Sequence, residues 1–279
     1  MKEIILISIL MIAATCTWAA DVKVCQTEKA KYNYRIELAN LILSKTASQY
    51  GPAKIIPFQK KDPTQARCIK LLEGKMIDVV YLPATEERLR KMDAIKTDIH
   101  NGMLGYRVFL INKNDKEKFS KVKTINDLRK FKGGFGSHWG DYKSFALNKL
   151  PVIGVAYTHG LLSMLSKRRF DYFHRGLHEA WTEIDANREQ FPDLIVEESL
   201  ALIYDFPVYF MFNQKNQALK KRFKEGFGII LKDGSFRQLY KEHFGHYAKK
   251  ANIKNRTLIR IKHTTPKGLP EIDTNLWLN

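Results

Sequence analysis

At 279 residues with 44% hydrophobic side chains, the chain can form one large domain or two ordinary ones and can bury a sizeable core. Its formal charge is +18, from 47 Lys and Arg against 29 Asp and Glu. The lysines are dispersed and no arginine-rich block is interleaved with aromatics, which sets nucleic acid aside as a partner; the lack of CxxC, HExxH and histidine-cluster patterns sets aside a zinc site.

Met1-Lys2 precedes an apolar run from Ile4 to Ala14 and then small residues ending Thr17-Trp18-Ala19-Ala20. A basic start, a short apolar centre and an Ala-rich end read as a secretory signal peptide over 1–19, cleaved after Ala19. The run is shorter than the roughly 20 apolar residues a bilayer span needs. No later run is long enough either, so the mature chain is expected to work in the periplasm. Cys25 and Cys68 remain after cleavage, in a compartment that permits a bridge. Spacing alone does not say whether their Cα atoms come within the ~7 Å a disulfide demands, so a bridge and two buried thiols both stay open.

Segment 21–25 alternates and predicts a strand. A helix over 34–50 is stopped by Gly51-Pro52, and 54–58 is a second strand. Asp62-Pro63-Thr64 opens a second helix that carries Ile69, Leu71 and Leu72 to Gly74. Segment 76–81 is continuous enough for a buried parallel strand. This β-α-β-α-β order implies a parallel sheet with right-handed crossovers. A long strand over 106–111 then leads to a second alternating series. It has helices at 124–131, 141–149, 158–167 and 176–189, and strands at 133–137, 152–155, 170–173 and 194–196. A strand over 207–212 returns to the first series, followed by helices over 216–231 and 234–244. The fold class is α/β. Two lobes, 20–110 with 206–279 and an inserted 111–205, each hold a mostly parallel sheet flanked by helices, and two hinge strands join them. Ligands of such sheets sit beyond the carboxyl ends of the strands, so the site is expected in the cleft between the lobes.

Four segments carry a likeness: Leu72-Glu73-Gly74-Lys75-Met76-Ile77-Asp78-Val79-Val80, Thr85-Glu86-Glu87-Arg88, Arg169-Phe170-Asp171 and Leu231-Lys232-Asp233-Gly234-Ser235-Phe236. With them the chain resembles the type II periplasmic solute-binding proteins, in particular the amino-acid-binding family of ABC transporters. Gly105-Tyr106-Arg107 and Phe170-Asp171-Tyr172-Phe173-His174-Arg175-Gly176 resemble a divergent subgroup of them.

The resemblance implies that Thr85 and Arg88 form the family's T-x-x-R element, whose guanidinium clamps a ligand carboxylate through a rigid fork. The competing reading puts Arg88 on a solvated helix face beside Glu86, Glu87 and Arg90. Tyr81 reads as an aromatic wall or a core tyrosine. Ser137, His138 and Trp139 occupy a strand-to-helix turn that suits an anion, or that is an ordinary cap involving Asp141. Asp171 reads as a ligand contact or as the holder of its own strand end, and Glu28 as an acceptor at the cleft edge. Where the family carries an acidic residue for the ligand's ammonium, this chain has Gly176, preceded by His174 and Arg175. A cluster of Arg88, Arg107 and Arg175 needs anionic charge, which points to an anionic or carboxylate-bearing solute unless Glu179, one helical turn on, neutralises it.

These residues lead us to expect a monomeric, non-catalytic binding protein, without cofactor or metal, that delivers a small polar solute to an ABC-type permease or a receptor. Two alternatives stand beside it. One is a cyclohexadienyl dehydratase-like enzyme using Glu28 or Glu179 as its acid. The other is a ligand-sensing module acting through a membrane partner.

Overall fold

The computed structural model describes residues 21–59, 62–157, 160–263 and 266–270. The expected signal peptide lies outside them, as does the expected helix start at Thr158. No described helix is long and apolar enough to cross a membrane.

The first series is β1 (Val22–Val24), α1 (Lys29–Lys45), α2 (Ala47–Tyr50), β2 (Ile55–Pro57), α3 (Gln65–Glu73), β3 (Val79–Pro83), α4 (Glu86–Lys91) and β4 (Asp93–Ala94). The second begins with β5 (Tyr106–Asn112), α5 (Lys116–Ser120), α6 (Ile125–Leu128), β6 (Gly133–Gly136), α7 (Tyr142–Leu147) and β7 (Val152–Val155). It continues through α8 (Leu161–Ser166), β8 (Tyr172–Gly176), α9 (Leu177–Ala186), β9 (Leu194–Val196) and β10 (Leu200–Ile203). The chain then runs through β11 (Val208–Phe212), α10 (Gln217–Lys232), α11 (Ser235–Ala251) and β12 (Thr257–Arg260).

These strands make two sheets. The first has the order β2-β1-β3-β11-β4 and the second β12-β10-β5-β8-β6-β7, with β9 paired to β5. Strands β1, β2 and β3 run parallel, as do β6, β7 and β8, whereas β11 runs against β3 and β5 against β8. Each of the five residues of β3 is buried, which is what a sheet covered on both faces requires of its central strand. Helix α3 starts where Thr64 Oγ1 accepts from Arg67 N at 3.3 Å, and its cap is Gly74.

Sheet pairing puts Tyr106–Asn112 in the second sheet, ahead of the expected start of the second lobe at 111. It also returns Thr257–Arg260 to that sheet from within the expected first-lobe segment 206–279. Besides the two expected crossings, a third therefore runs from α11 to β12. Arg256 anchors it, donating to Ala251 O and Glu197 O at 2.6 Å and to Leu200 O at 3.1 Å. At the other two crossings the strands touch. Tyr204 N donates to Gly105 O at 3.0 Å, and a Cβ at residue 105 would meet Tyr204 O at 2.3 Å, so only glycine fits.

Cys25 and Cys68 form a disulfide with a Cα–Cα distance of 5.6 Å, which settles the question the sequence left open. The bridge ties the end of β1 to α3, within a cluster that includes Leu71, Leu72, Ile77, Val80, Leu82 and Met211.

Candidate functional site

The carboxyl ends of β1 and β3 face those of β6 and β8 across a cavity of about 320 Å³. The lobes meet beside it. A Cβ at Gly140, in the turn after β6, would lie 3.2 Å from Arg88 Nη1, 3.3 Å from Pro83 Cβ and 3.5 Å from Thr85 Cγ2. This is a closed cleft.

One wall is the first two turns of α1. Its N-cap is Glu28, whose backbone N–H donates to Asp62 Oδ2 at 2.9 Å. Helical spacing brings Glu28, Lys31, Tyr32 and Arg35 to one face, and all four line the cavity. Glu28 and Lys31 pair with each other at 2.9 Å on the rim. Burial pushes the Tyr32 phenol up to about 12, so it stays neutral. Arg35 is buried. Its Nε donates to His100 Nε2 at 2.9 Å and its Nη1 to Tyr81 O at 3.4 Å, and its guanidinium lies 5.4 Å from the Tyr32 ring centre. It makes no ion pair among the described residues.

The opposite wall belongs to the second lobe, where β5 and β8 pair with Val108 opposite Arg175. Arg107 donates through Nε to Tyr204 Oη at 3.0 Å, through Nη1 to Glu179 Oε2 at 3.2 Å and through Nη2 to Asp141 Oδ2 at 3.3 Å. Arg175 lies with Nε 2.6 Å from Glu183 Oε2 and Nη1 3.6 Å from Glu179 Oε2, between the rings of Trp139 and Phe173. Burial alone would raise the Glu179 carboxyl, but the Arg175 and Arg107 guanidiniums hold it well below the usual range. Asp141 is depressed too: burial opposes ionisation, and His174 and Arg107 overcome it. Two guanidiniums thus face three carboxylates on this wall, one negative charge in excess, while Arg35 stands opposite with no carboxylate in ion-pair contact among the described residues.

Of the residues singled out from sequence, Arg107, Trp139, Arg175, Glu28, Asp141 and Glu179 line the cavity. The others do not. Tyr81 sits behind Tyr32 and donates its hydroxyl to Gln26 O. Thr85 caps α4, accepting from Arg88 N at 3.2 Å. Arg88 is on no solvated face, yet it is not in the cavity wall. Its Nη1 donates to Pro83 O at 2.9 Å and its Nη2 to Gln65 Oε1 at 2.8 Å, so it lies behind two residues that line the cavity, and burial lowers it to about 10. Ser137 spends its backbone N–H on Val155 O at 3.0 Å, and His138 is exposed. The turn reaches the other lobe through Gly140 instead. Asp171 is exposed and accepts from Lys132 N at 2.7 Å, holding its own strand end.

Of the expected three-arginine cluster, then, Arg107 and Arg175 share Glu179 while Arg88 is held elsewhere. Sequence reading missed Tyr32 because it started the first helix at residue 34, and it passed over Arg35, the second residue of that expected helix. With the start at Lys29, both fall on the face above the end of β1. It also missed His178 and Glu183, on the helix that carries Glu179. No group of His, Cys, Asp and Glu among the described residues is arranged to hold a metal ion.

The chain matches no family model and no curated protein. Among solved structures it is similar to an ancestral arginine-binding protein bound to arginine, at 19% identity and a TM-score of 0.58, over 76% of this chain and 88% of that one. It is similar to a histidine kinase sensor domain with similarity to periplasmic binding proteins, at 15% identity and a TM-score of 0.63, over 82% and 96%. It is also similar to an ancestral amino acid-binding protein, a precursor of cyclohexadienyl dehydratase, at 16% identity and a TM-score of 0.58, over 81% and 94%. Two sheets flanked by helices, hinged by crossing strands and closed over a polar cavity, give this chain the two-lobed fold of the type II periplasmic binding proteins.

Proposed function

We propose that the protein captures a small, polar, carboxylate-bearing solute between its lobes and delivers it to an ABC-type permease or a receptor in the membrane. It acts as a monomer in the periplasm after loss of residues 1–19. The observation that carries this reading is Arg35, a buried guanidinium in the cavity wall with no ion-pair partner among the described residues. A buried cation of this kind is strongly stabilised by an anion that arrives with the ligand. The opposite wall, with one carboxylate in excess, accepts an amine or hydroxyl from the same solute. Arginine binding by one structural neighbour and amino-acid binding by another are in keeping with this, as is the sensor role of a third.

An enzyme on the same scaffold needs a proton donor in the cleft. Glu179 is held ionised by two guanidiniums and cannot donate, and Glu28 sits on the rim paired with Lys31. Binding without turnover is the better reading. It is tested by thermal denaturation of the purified protein against a panel of amino acids and mono- and dicarboxylates. A ligand-dependent rise in Tm, absent in Arg35→Ala, is expected. The proposal is lost if no compound stabilises the protein at millimolar concentration, or if Arg35→Ala responds as the parent does. Conversion of a cyclohexadienyl substrate would favour the enzyme.

A further inference from the structure

His100 lies at the start of the first crossing and His178 on α9 of the second lobe, and their rings stack face to face with centroids 5.2 Å apart and planes 16° from parallel. The stack bridges the lobes beside the cavity, which His178 lines. Around it the two lobes also touch through Thr182 Oγ1 and Tyr247 Oη at 2.8 Å, and through the His178 and Phe244 rings at 4.9 Å. His100 does a second thing: its Nε2 accepts from Arg35 Nε at 2.9 Å, so it aims the guanidinium from behind. Neither Nδ1 has a hydrogen-bond partner among the described residues.

We propose that this imidazole stack is an acid-released latch: His100 positions Arg35, and His178, while neutral, holds the lobes closed and lets them part when it takes up a proton. The positioning role of His100 rests on the solute-binding reading above; the latch does not.

The surroundings support it from every side. From α1, Arg35 and the Tyr34 ring face the stack. From β5 and β8 come Arg107 and Arg175, and from α9 itself comes Glu179. From α11 come Phe244 and Tyr240, whose hydroxyl donates to His100 O at 3.1 Å, while His243 is turned outward to Glu37 at 2.6 Å. A proton on His178 in the closed cleft therefore meets three guanidiniums and one carboxylate that two of them already occupy. Burial, more than these neighbours, depresses His178 to about 3. In an open cleft the ring is solvated and returns to about 6.5. The closed state thus binds fewer protons than the open one. The contribution of His178 to closure is therefore fully present above about pH 6.5 and falls about tenfold per pH unit between there and about pH 3. Asp98, raised to about 6 by burial, titrates in the same window. Its acceptor contacts are to His100 N, Gly102 N and Val208 N, all in the first lobe, so they are unchanged by opening.

The test uses the intact protein without any solute, so its outcome is independent of whether a ligand is ever found. Small-angle scattering at about pH 8 and about pH 5 reads closure, and histidine NMR reads protonation. The parent should be compact at the higher pH and expand at the lower one, as the His178 resonance titrates. His178→Phe keeps an aromatic stack that cannot charge and should stay compact at both. Asp98→Asn should behave as the parent. The latch is overturned if the parent has one radius of gyration at both values, whether open or closed, or if His178→Phe opens at the same pH as the parent.

Discussion

Arg35 is the residue on which ligand affinity should turn. Truncating it to Ala removes the fork expected to hold a carboxylate and should weaken binding by about 3 kcal/mol, roughly 100-fold, as read by isothermal titration. Arg35→Lys keeps a charge but not the bidentate geometry, and should recover only part of that loss. Glu179 carries a stability prediction instead. Its carboxylate serves two buried guanidiniums, so Glu179→Gln should cost about 3 kcal/mol by urea denaturation at neutral pH. The sign with pH follows from its depressed folded-state value. The stabilisation is present above the unfolded value of about 4.3 and fades as pH falls below it, so the mutant's penalty should shrink in acid. Arg88 shows why such roles are hard to read from a string of residues. It fits its local motif, yet Pro83 O and Gln65 Oε1, one of them contributed by another helix, claim its guanidinium. Arg175 and Glu179, four residues apart across the junction of β8 and α9, were legible as a pair because both lie on one short stretch.

At the level of elements, the disulfide pins the loop that carries Glu28 to α3. It closes a separation of 43 residues, and replacing both cysteines by Ser should lower stability by about 2–4 kcal/mol, seen as a fall in Tm that reductant reproduces in the parent. The turn after β6 is the other element to probe. A side chain at residue 140 would meet Pro83, Thr85 and Arg88 across the cleft, so Gly140→Leu should wedge the lobes apart, enlarging the radius of gyration in scattering while leaving the circular dichroism spectrum unchanged. The parallel strands were legible from their apolar runs and their Gly and Pro boundaries. Strands β10 and β12 were not. Leu200–Ile203 is a four-residue apolar run with no period of its own, and it becomes a strand only because β5 and β12 flank it.

For the molecule as a whole, the cleft is polar, closed and balanced, with positive charge on one lobe answering negative charge on the other. The net +18 does not come from the cavity. Lysines such as Lys113, Lys116, Lys121 and Lys130 make exposed pairs that contribute little to stability. The third crossing bears on how the molecule can move. With β12 zipped along β10 over four paired residues, α11 is tethered at its far end to the opposite sheet. Three tethers at one edge leave a pivot that bends far more readily than it swivels, so the lobes should part like the covers of a book rather than slide past each other. The same tether makes β12 a selvage: a chain cut before Thr257 would leave β10 with a bare row of amides and carbonyls, an invitation to stack with its own copies.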